Sequence, residues 1–294
     1  MSQRWCSLSK GRTTQPSRTQ ATTYLLSVVM PVVCWYTGIQ PPSFFKLDLR
    51  CNSMSRADGL IFLSIVIMHL PEVMKIFLDT ADTDLIRKYN GTGLIDGVTT
   101  NPTLIMRSGR DPEDVYQEIQ DIGIPDISME VVGDSNQMIE EGIRLAEKFP
   151  NTATIKVPCT PDGLLACAQL STKNLIRVNV TLIFDVAQAI LSAKAGATYV
   201  SPFVGRLDDN SIAGLELIKN INDVFTVQNV YKTKILSASI RYVNSVSQSF
   251  ANGASIVTMP PSVFDKMYNH VLTDKGLQIF DEDWKKTQEL IQGS

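Results

Sequence analysis

The chain has 294 residues, of which 44% are hydrophobic and 19% are charged, as in an ordinary globular protein. Residues 1–73 hold 7 Lys and Arg against 3 acidic residues, whereas residues 74–294 hold 20 against 27. An acidic body without a basic run argues against a nucleic-acid partner. With two histidines and no CxxC motif, the chain offers little for Ser–His or Cys–His catalysis, for a disulfide framework or for a zinc site.

Residues 1–73 differ in composition from the rest of the chain. They begin with a Ser-, Thr- and Arg-rich stretch that has no acidic residue before Asp48, and they contain apolar runs at 25–36 and 60–68. Neither run reaches the roughly 20 residues that a bilayer-spanning helix needs. We therefore predict an N-terminal extension that is disordered or non-native, for instance sequence translated upstream of a true start at Met74. A targeting or membrane-associating peptide and some other ordered addition are the alternatives.

From Met74 onward, short β-rich runs alternate with amphipathic helical stretches, which is typical of βα units around a parallel sheet. Eight strands are predicted, at 75–80, 96–101, 126–132, 153–158, 176–184, 198–204, 233–240 and 254–260. Eight strands, each followed by a helix, predict an α/β fold over residues 74–294, a (β/α)8 TIM barrel. The segment 274–292 predicts an extra C-terminal helix, which could pack on its own barrel or on a neighbouring subunit.

Polar side chains recur on one phase of the predicted strands. Successive side chains of a strand point to opposite faces, so one phase meets the helices and the other lines the barrel interior. Apolar residues such as Leu182 are expected to face outward. The predicted inward set, near the strand ends where barrel enzymes carry their active sites, is Asp79, Thr99, Asn101, Glu130, Lys156, Asn179, Thr181, Tyr199, Ser201, Phe203, Ser237 and Ser239.

This interior set contains one lysine and two carboxylates. A structural ion pair is one interpretation of Lys156, but burying charges costs several kcal/mol per ion, and the convergence of Glu130 and Asp79 favours catalysis. A dry pocket biases a lysine toward its free amine, which attacks a ketone to form an iminium, and two carboxylates can divide the proton transfers. No metal is needed. The sequence has no GxGxxG or Walker-type loop, so we expect no nucleotide cofactor.

Five segments of the chain resemble motifs of the transaldolase family. The resemblance is strongest to its small subgroup, which includes fructose-6-phosphate aldolase and the short bacterial and phage-type transaldolases, and it covers Met74 to about Trp284. The matching segments are IFLDTA at 76–81, GVTTNPTLI at 97–105, IKVPCTPDGL at 155–164, SPFVGRLDD at 201–209 and SASIR at 237–241.

The resemblance implies roles for five residues. Lys156 would form a Schiff base with the substrate, Asp79 would handle the proton of the hydroxyl next to the cleaved bond, and Asn101 would position the substrate. Glu130 would act as the acid and base through a water molecule held by Thr181. A dihydroxyacetone unit would thereby pass from a ketose phosphate to an aldose phosphate without a cofactor.

Arg206, Ser239 and Arg241 resemble the family's phosphate-binding residues. They follow the sixth and seventh predicted strands, beside the region where barrels commonly bind phosphate, and a guanidinium fork suits phosphate oxygens. Ordinary surface charges are the alternative interpretation of the two arginines. Thr99, Ser201 and Ser237 are weaker candidates for substrate contacts, because inward hydroxyls often satisfy nearby backbone groups, and Ser201 is the preferred one of the three.

Two residues bear on which reaction of the family is catalysed. The aldolase, which releases free dihydroxyacetone, has Gln where this chain has Glu130 and Tyr where it has Phe203. Both residues here follow the transaldolase pattern. A Tyr hydroxyl could deliver a proton or bind the catalytic water and so favour release of the free ketone, whereas Phe cannot. The alternatives are fructose-6-phosphate aldolase and a catalytically inactive sugar-phosphate-binding barrel.

The resemblance also implies sugar-phosphate substrates and a homo-oligomer, with a decamer as its expected size. We expect a cytoplasmic enzyme of the pentose phosphate pathway, with no nucleic-acid partner and no membrane contact of the barrel.

Overall fold

A computed structural model describes residues 74–292. The predicted extension at 1–73 therefore lies outside the described residues. The strands are β1 (Lys75–Asp79), β2 (Gly97–Thr99), β3 (Ile127–Glu130), β4 (Ala153–Pro158), β5 (Val178–Ile183), β6 (Tyr199–Pro202), β7 (Lys234–Ser237) and β8 (Ile256–Met259).

Helices fill every connection between these strands. They are α1 (Thr83–Asn90), α2 (Pro102–Ser108), α3 (Pro112–Asp121), α4 (Ser135–Lys148), α5 (Pro161–Lys173), α6 (Val186–Lys194), α7 (Val204–Asp208), α8 (Gly214–Val227), α9 (Val243–Ala251), α10 (Pro261–Lys266) and α11 (Val271–Gln292). Two helices, α2 and α3, separate β2 from β3, and two more, α7 and α8, separate β6 from β7.

The eight strands form a closed barrel in sequence order, with β1 pairing with both β2 and β8. Every pair is parallel. The predicted (β/α)8 architecture is therefore confirmed, and each predicted strand is present. Every strand except β4 is shorter than predicted.

Helices α1 to α6 begin at residues whose side chains cap them. Asp82, Asp134 and Thr160 each accept a hydrogen bond from a backbone N–H in the first turn of α1, α4 and α5. Proline occupies the first turn of α2 and α5, where its missing N–H costs nothing. These caps fix the points at which the chain leaves the C-terminal ends of the strands.

Two separate apolar layers hold the barrel together. The outer layer, between strands and helices, includes the fully buried Leu78, Met129 and Ile155. A smaller cluster fills part of the interior and consists of Phe77, Tyr199, Leu236, Ala238 and Ile256. Residues of one strand alternate between these layers, as the period of two requires.

A buried carboxylate network closes the N-terminal end of the barrel. Asp126 accepts hydrogen bonds from Thr154 Oγ1 at 2.8 Å, Tyr199 Oη at 2.8 Å and Arg177 Nη1 at 2.9 Å. Burial raises the pKa of Asp126, against the opposing charge of Arg177. This network lies at the start of the strands, away from the predicted site at their C-terminal ends, and we interpret it as structural.

The predicted orientation of β7 was wrong. Ser237 points outward, because its Oγ lies 2.9 Å from Ser249 Oγ on the surrounding helix α9. Leu236 and Ala238 belong to the interior cluster instead. Both phases of this strand contain small or apolar residues, so the pattern of polar residues was a poor guide to its phase.

A bulge changes the orientation of residues at the end of β5. The register with β6 shifts between Val180 and Ile183, and Leu182 has a φ of 59°. Ile183, rather than the predicted Leu182, is the fully buried residue in the outer layer. A bulge adds one residue to a strand and redirects its side chains, so simple alternation fails beyond Val180.

The predicted C-terminal helix is confirmed as α11, which spans 22 residues, none of them buried. Among residues 74–292, no helix is long and apolar enough to cross a membrane.

Candidate active site

Lys156 lies inside the barrel with its side chain only 6% exposed. Its Nζ is 2.9 Å from Glu130 Oε2 and donates a hydrogen bond to the main-chain oxygen of Thr100 at 3.0 Å. Glu130 and Lys156 are register partners on β3 and β4, so their side chains leave the sheet on the same face. The structure therefore brings together the predicted nucleophile and one of the two predicted carboxylates.

Asp79 ends β1 in the same interior. Its Oδ1 accepts a hydrogen bond from Thr99 Oγ1 at 2.8 Å, and Thr99 Oγ1 lies 2.6 Å from Thr258 Oγ1 on β8. Burial raises the pKa of the Asp79 carboxyl, although the charge of Lys156 and the hydrogen bond from Thr99 act in the opposite direction. A carboxylate with a raised pKa is a stronger base for a substrate hydroxyl.

Thr181 has an orphaned hydroxyl group. Its Oγ1 is buried and makes no hydrogen bond to any described residue. An unsatisfied buried hydroxyl costs about 1 to 3 kcal/mol, and a water molecule or a substrate group would relieve that cost. Thr181 immediately precedes Leu182 in the bulge, so the irregular backbone is adjacent to the free hydroxyl.

Ser201 belongs to a buried hydrogen-bond network. Its hydroxyl donates to Asn179 Oδ1 at 2.7 Å, and Asn179 Nδ2 donates to Ser128 Oγ at 3.2 Å. Asn179 is the register partner of Lys156 on β5. This network joins β5 and β6 to β3, the strand that also carries Glu130, and Ser128 is a member that the strand pattern did not single out.

Asn101 directly follows the carbonyl that accepts the lysine hydrogen bond. Its Oδ1 accepts from Leu104 N at 3.0 Å and caps α2. Its Nδ2 makes no hydrogen bond within residues 74–292. The side chain thus has a structural role through its oxygen while its amide protons stay available for a ligand.

Phe203 and Arg206 lie together at the start of α7. The guanidinium carbon of Arg206 is 5.0 Å from the centre of the Phe203 ring, and the Phe184 ring packs edge-on at 5.7 Å. Phe203 also packs against the interior apolar cluster. Its ring therefore forms one apolar wall between the interior and the predicted phosphate-binding residues.

Arg241 and Ser239 follow β7 and pack against α7. The N–H groups of Val204 and Gly205 donate to the carbonyl oxygens of Ala238 and Ser239, each at 3.0 Å. Arg241 Nη2 lies 2.9 Å from Asp209 Oδ2, and both side chains are about half exposed. The two arginines thus occupy adjoining segments beyond β6 and β7.

Ser239 has an unusual backbone conformation. Its φ is 59°, in the left-handed region that a serine seldom adopts. Its hydroxyl makes no hydrogen bond to any residue from 74 to 292. Strain held at a residue with a free hydroxyl is typical of ligand-binding positions.

The alternation rule missed three features of this site besides Ser128. The Thr100 carbonyl was not predicted to contact Lys156, because the rule concerns side chains only. Thr258 was overlooked because β8 is otherwise apolar, although its inward phase follows from Ile256. Gly205 has no side chain, so only its place between two motif residues could have indicated a close contact.

Comparison with solved structures supports the fold. The flavin-binding domain of baker's yeast flavocytochrome b2 aligns with a TM-score of 0.50 and 13% sequence identity, over 75% of this chain and 65% of that chain. At this identity the similarity concerns the barrel alone.

Comparison by sequence is more specific. A probable transaldolase of Paracoccus denitrificans is 52% identical over 219 residues, which are 74% of this chain and 100% of that protein. A probable transaldolase of Nitrosopumilus maritimus is 49% identical over 216 residues, which are 73% of this chain and 96% of that protein. The model of the transaldolase/fructose-6-phosphate aldolase family matches residues 76–291. This chain therefore belongs to the transaldolase/fructose-6-phosphate aldolase family.

Proposed function

We propose that the chain is a transaldolase that transfers a dihydroxyacetone unit from sedoheptulose 7-phosphate or fructose 6-phosphate to an aldose phosphate, as a cytoplasmic enzyme of the pentose phosphate pathway. The observation that carries the proposal is the buried Lys156, held between Glu130 and the Thr100 carbonyl, with Asp79 close enough for their charges to interact. Buried charge clusters at the C-terminal end of barrel strands are typical of active sites.

The first step is formation of a Schiff base. The Lys156 amine attacks the ketone carbon, a carbon–nitrogen bond forms, and transfer of a proton from the nitrogen to the carbonyl oxygen gives a carbinolamine. A second proton on that oxygen lets it leave as water, and the iminium remains. Glu130, 2.9 Å from Nζ, is placed to exchange these protons, and a water molecule hydrogen-bonded to Thr181 would carry them across the gap.

The second step breaks a carbon–carbon bond. Asp79 accepts the proton of the hydroxyl on the carbon beyond the cleaved bond, two positions from the iminium carbon. That carbon becomes an aldehyde, and the electron pair of the cleaved bond moves to the iminium nitrogen to give an enamine. Burial raises the pKa of Asp79 and makes it a suitable base. The enamine then attacks the acceptor aldehyde, Asp79 returns the proton, and hydrolysis frees Lys156.

The phosphate of the substrate would bind Arg206, Arg241 and the free hydroxyl of Ser239. The salt bridge from Arg241 to Asp209 is half exposed and therefore weak, so a phosphate dianion can replace the carboxylate as its partner. Transfer rather than release of dihydroxyacetone is favoured by Phe203, whose ring brings no hydroxyl to the enamine.

We further propose that the chain works as a homo-oligomer, and the family resemblance suggests a decamer. The supporting feature is α11, which exposes Leu277, Phe280, Trp284 and Ile291 at helical spacing. A row of large apolar side chains on an exposed helix is typical of an interface. A second copy of the chain is the proposed occupant.

The test is borohydride reduction in the presence of fructose 6-phosphate, followed by mass mapping of the modified lysine. We expect the modification on Lys156, and its loss together with turnover in Lys156→Ala. Lys219→Ala, on the exposed face of α8, is the matched control and should keep both. Trapping at another lysine in Lys156→Ala would remove the proposed nucleophile.

A further inference from the structure

We propose that Thr100 positions the reactive nitrogen of Lys156: its carbonyl, together with the Glu130 carboxylate, fixes the direction of the amine lone pair, and its hydroxyl holds that carbonyl in place. The inference rests on the Schiff-base role proposed above for Lys156 and deepens it. Thr100 acts through the lysine and is a positioning residue.

The two acceptors around Nζ determine the geometry of the free amine. A neutral primary amine has two N–H bonds and one lone pair, arranged roughly as a tetrahedron around nitrogen. Glu130 Oε2 at 2.9 Å and the Thr100 oxygen at 3.0 Å can accept both N–H groups. Only one direction then remains for the lone pair. With a single acceptor, two of the three staggered orientations about the Cε–N bond would be equally favourable.

Both acceptors are held by the same strand. Glu130 belongs to β3, and Thr100, the first residue after β2, makes two hydrogen bonds to Ser128 on β3. Its N–H donates to the Ser128 carbonyl at 3.1 Å, and its Oγ1 donates to the same oxygen at 2.9 Å. Thr100 is fully buried. Its carbonyl is therefore fixed relative to Glu130, two residues beyond Ser128.

Tyr116 supports this arrangement from the surrounding helix α3. Its hydroxyl oxygen lies 3.5 Å from Thr100 Oγ1. Burial raises the pKa of Tyr116, and the charge of Glu130 adds to the rise, so the phenol keeps its proton. The Thr100 hydroxyl donates to the Ser128 carbonyl at 2.9 Å, and Tyr116 Oη accepts only its longer contact at 3.5 Å. At 3.5 Å this contact is weak, so Tyr116 contributes less than Thr100.

A purely structural threonine would look similar in one respect, since its hydroxyl would also bind a backbone oxygen. Thr233 is such a residue: it is buried at the opposite end of the barrel, and its Oγ1 donates to Ala197 O at 2.7 Å. Thr233→Val therefore removes the same kind of hydrogen bond far from Lys156. It serves as the matched control for Thr100→Val.

The experiment measures the single-turnover rate of borohydride-trapped imine formation, and KM for fructose 6-phosphate, in full-length chains. We expect Thr100→Val to slow imine formation about tenfold or more, since small displacements of reacting groups have effects of this size, with KM changed by less than about twofold. Thr100→Ser keeps the hydroxyl and should restore most of the rate. Tyr116→Phe should slow the step by a smaller factor than Thr100→Val. Thr233→Val should lower the melting temperature but leave the imine rate unchanged.

An imine rate in Thr100→Val equal to that of the unaltered protein, per folded molecule, would overturn the inference. So would a Thr100→Ser variant as slow as Thr100→Val. Thr100→Ala loses the same hydroxyl without placing a methyl group against Ser128, and it gives the same test if Thr100→Val does not fold. Failure of the proposed function looks different, because the unaltered protein itself would then show no imine on Lys156.

Discussion

Gly205 lies directly against the side chain of Arg241. A Cβ atom at Gly205 would be 2.7 Å from Arg241 Cγ and 3.0 Å from its Nε, and it would overlap the Ser239 carbonyl oxygen. The backbone of α7 thus approaches the segment after β7 closely enough that any side chain at this position would separate them. The relative position of Arg206 and Arg241 depends on this contact.

Loss of either arginine should weaken phosphate binding. We expect Arg206→Ala and Arg241→Ala each to raise KM for phosphorylated donors. The loss of binding free energy should be about 1.5 to 3 kcal/mol per variant, the contribution of a charged hydrogen bond. Gly205→Ala should raise KM in the same direction by displacing Arg241. Steady-state kinetics check this, with Arg144→Ala, in an exposed ion-pair group on α4, as the control. Equal activity of the unaltered enzyme on fructose and fructose 6-phosphate would contradict the phosphate site.

Asp79 should lower stability while it supports catalysis. Burial raises its pKa, so the folded chain binds a proton at this carboxyl more tightly than the unfolded chain does. The charged group therefore reduces the free energy of unfolding at neutral pH, and the reduction disappears as the pH falls through the raised pKa. We expect Asp79→Asn to abolish turnover and to raise Tm at pH 7 by roughly 2 to 4 °C, the effect of about 1 kcal/mol.

Calorimetry at several pH values is the measurement for Asp79→Asn. The difference in Tm from the unaltered protein should narrow as the solution becomes acidic. Asparagine keeps an oxygen that can accept the Thr99 hydrogen bond, so the comparison isolates the charge. A lower Tm for Asp79→Asn at pH 7 would contradict the expectation.

The sequence predicted the parts of this site that depend on side-chain periodicity. Lys156, Glu130 and Asp79 were located because each alternates with apolar residues on its strand, and those apolar residues face the helices. The phase of β7 was not predictable from polarity, since Ser237 contacts a helix and Ala238 faces the interior. Backbone features, such as the bulge in β5 and the Thr100 carbonyl, leave no mark in the polar pattern.

Phe203 should control the choice between transfer and release. Phe203→Tyr adds one hydroxyl with little change in volume. If that hydroxyl brings water or a proton to the enamine, free dihydroxyacetone should form from fructose 6-phosphate and transfer to erythrose 4-phosphate should fall. A tenfold change in the ratio needs about 1.4 kcal/mol, which one charge-assisted hydrogen bond can supply. Product analysis of both reactions is the check, and an unchanged ratio in Phe203→Tyr would refute the role.

The exposed face of α11 should control assembly. We expect Phe280→Glu combined with Trp284→Glu to reduce the molar mass measured by light scattering and to lower Tm, because association stabilises folded subunits. Gln278→Glu adds the same kind of charge away from Phe280 and Trp284, and it should change neither quantity. An unchanged mass in the double variant would exclude this helix as the interface.

Residues 1–73 should be dispensable. A chain that begins at Met74 contains all eight strands and every candidate site residue. We expect it to match the full chain in kcat/KM and in solubility, as measured by steady-state kinetics and gel filtration. Loss of activity on truncation would assign residues 1–73 a part in the folded enzyme.

The contact between Thr99 and Thr258 has a consequence for biosynthesis. It joins residues 159 positions apart, across the seam where β8 closes on β1, and Thr99 also holds Asp79. Pairings of such long sequence separation form slowly, since a long loop must first be closed. Asp79, the proposed general base, therefore reaches its place only after the last strand has been synthesised and docked. A nascent chain would carry Lys156, the proposed nucleophile, for about 100 residues of translation before it could cleave a sugar.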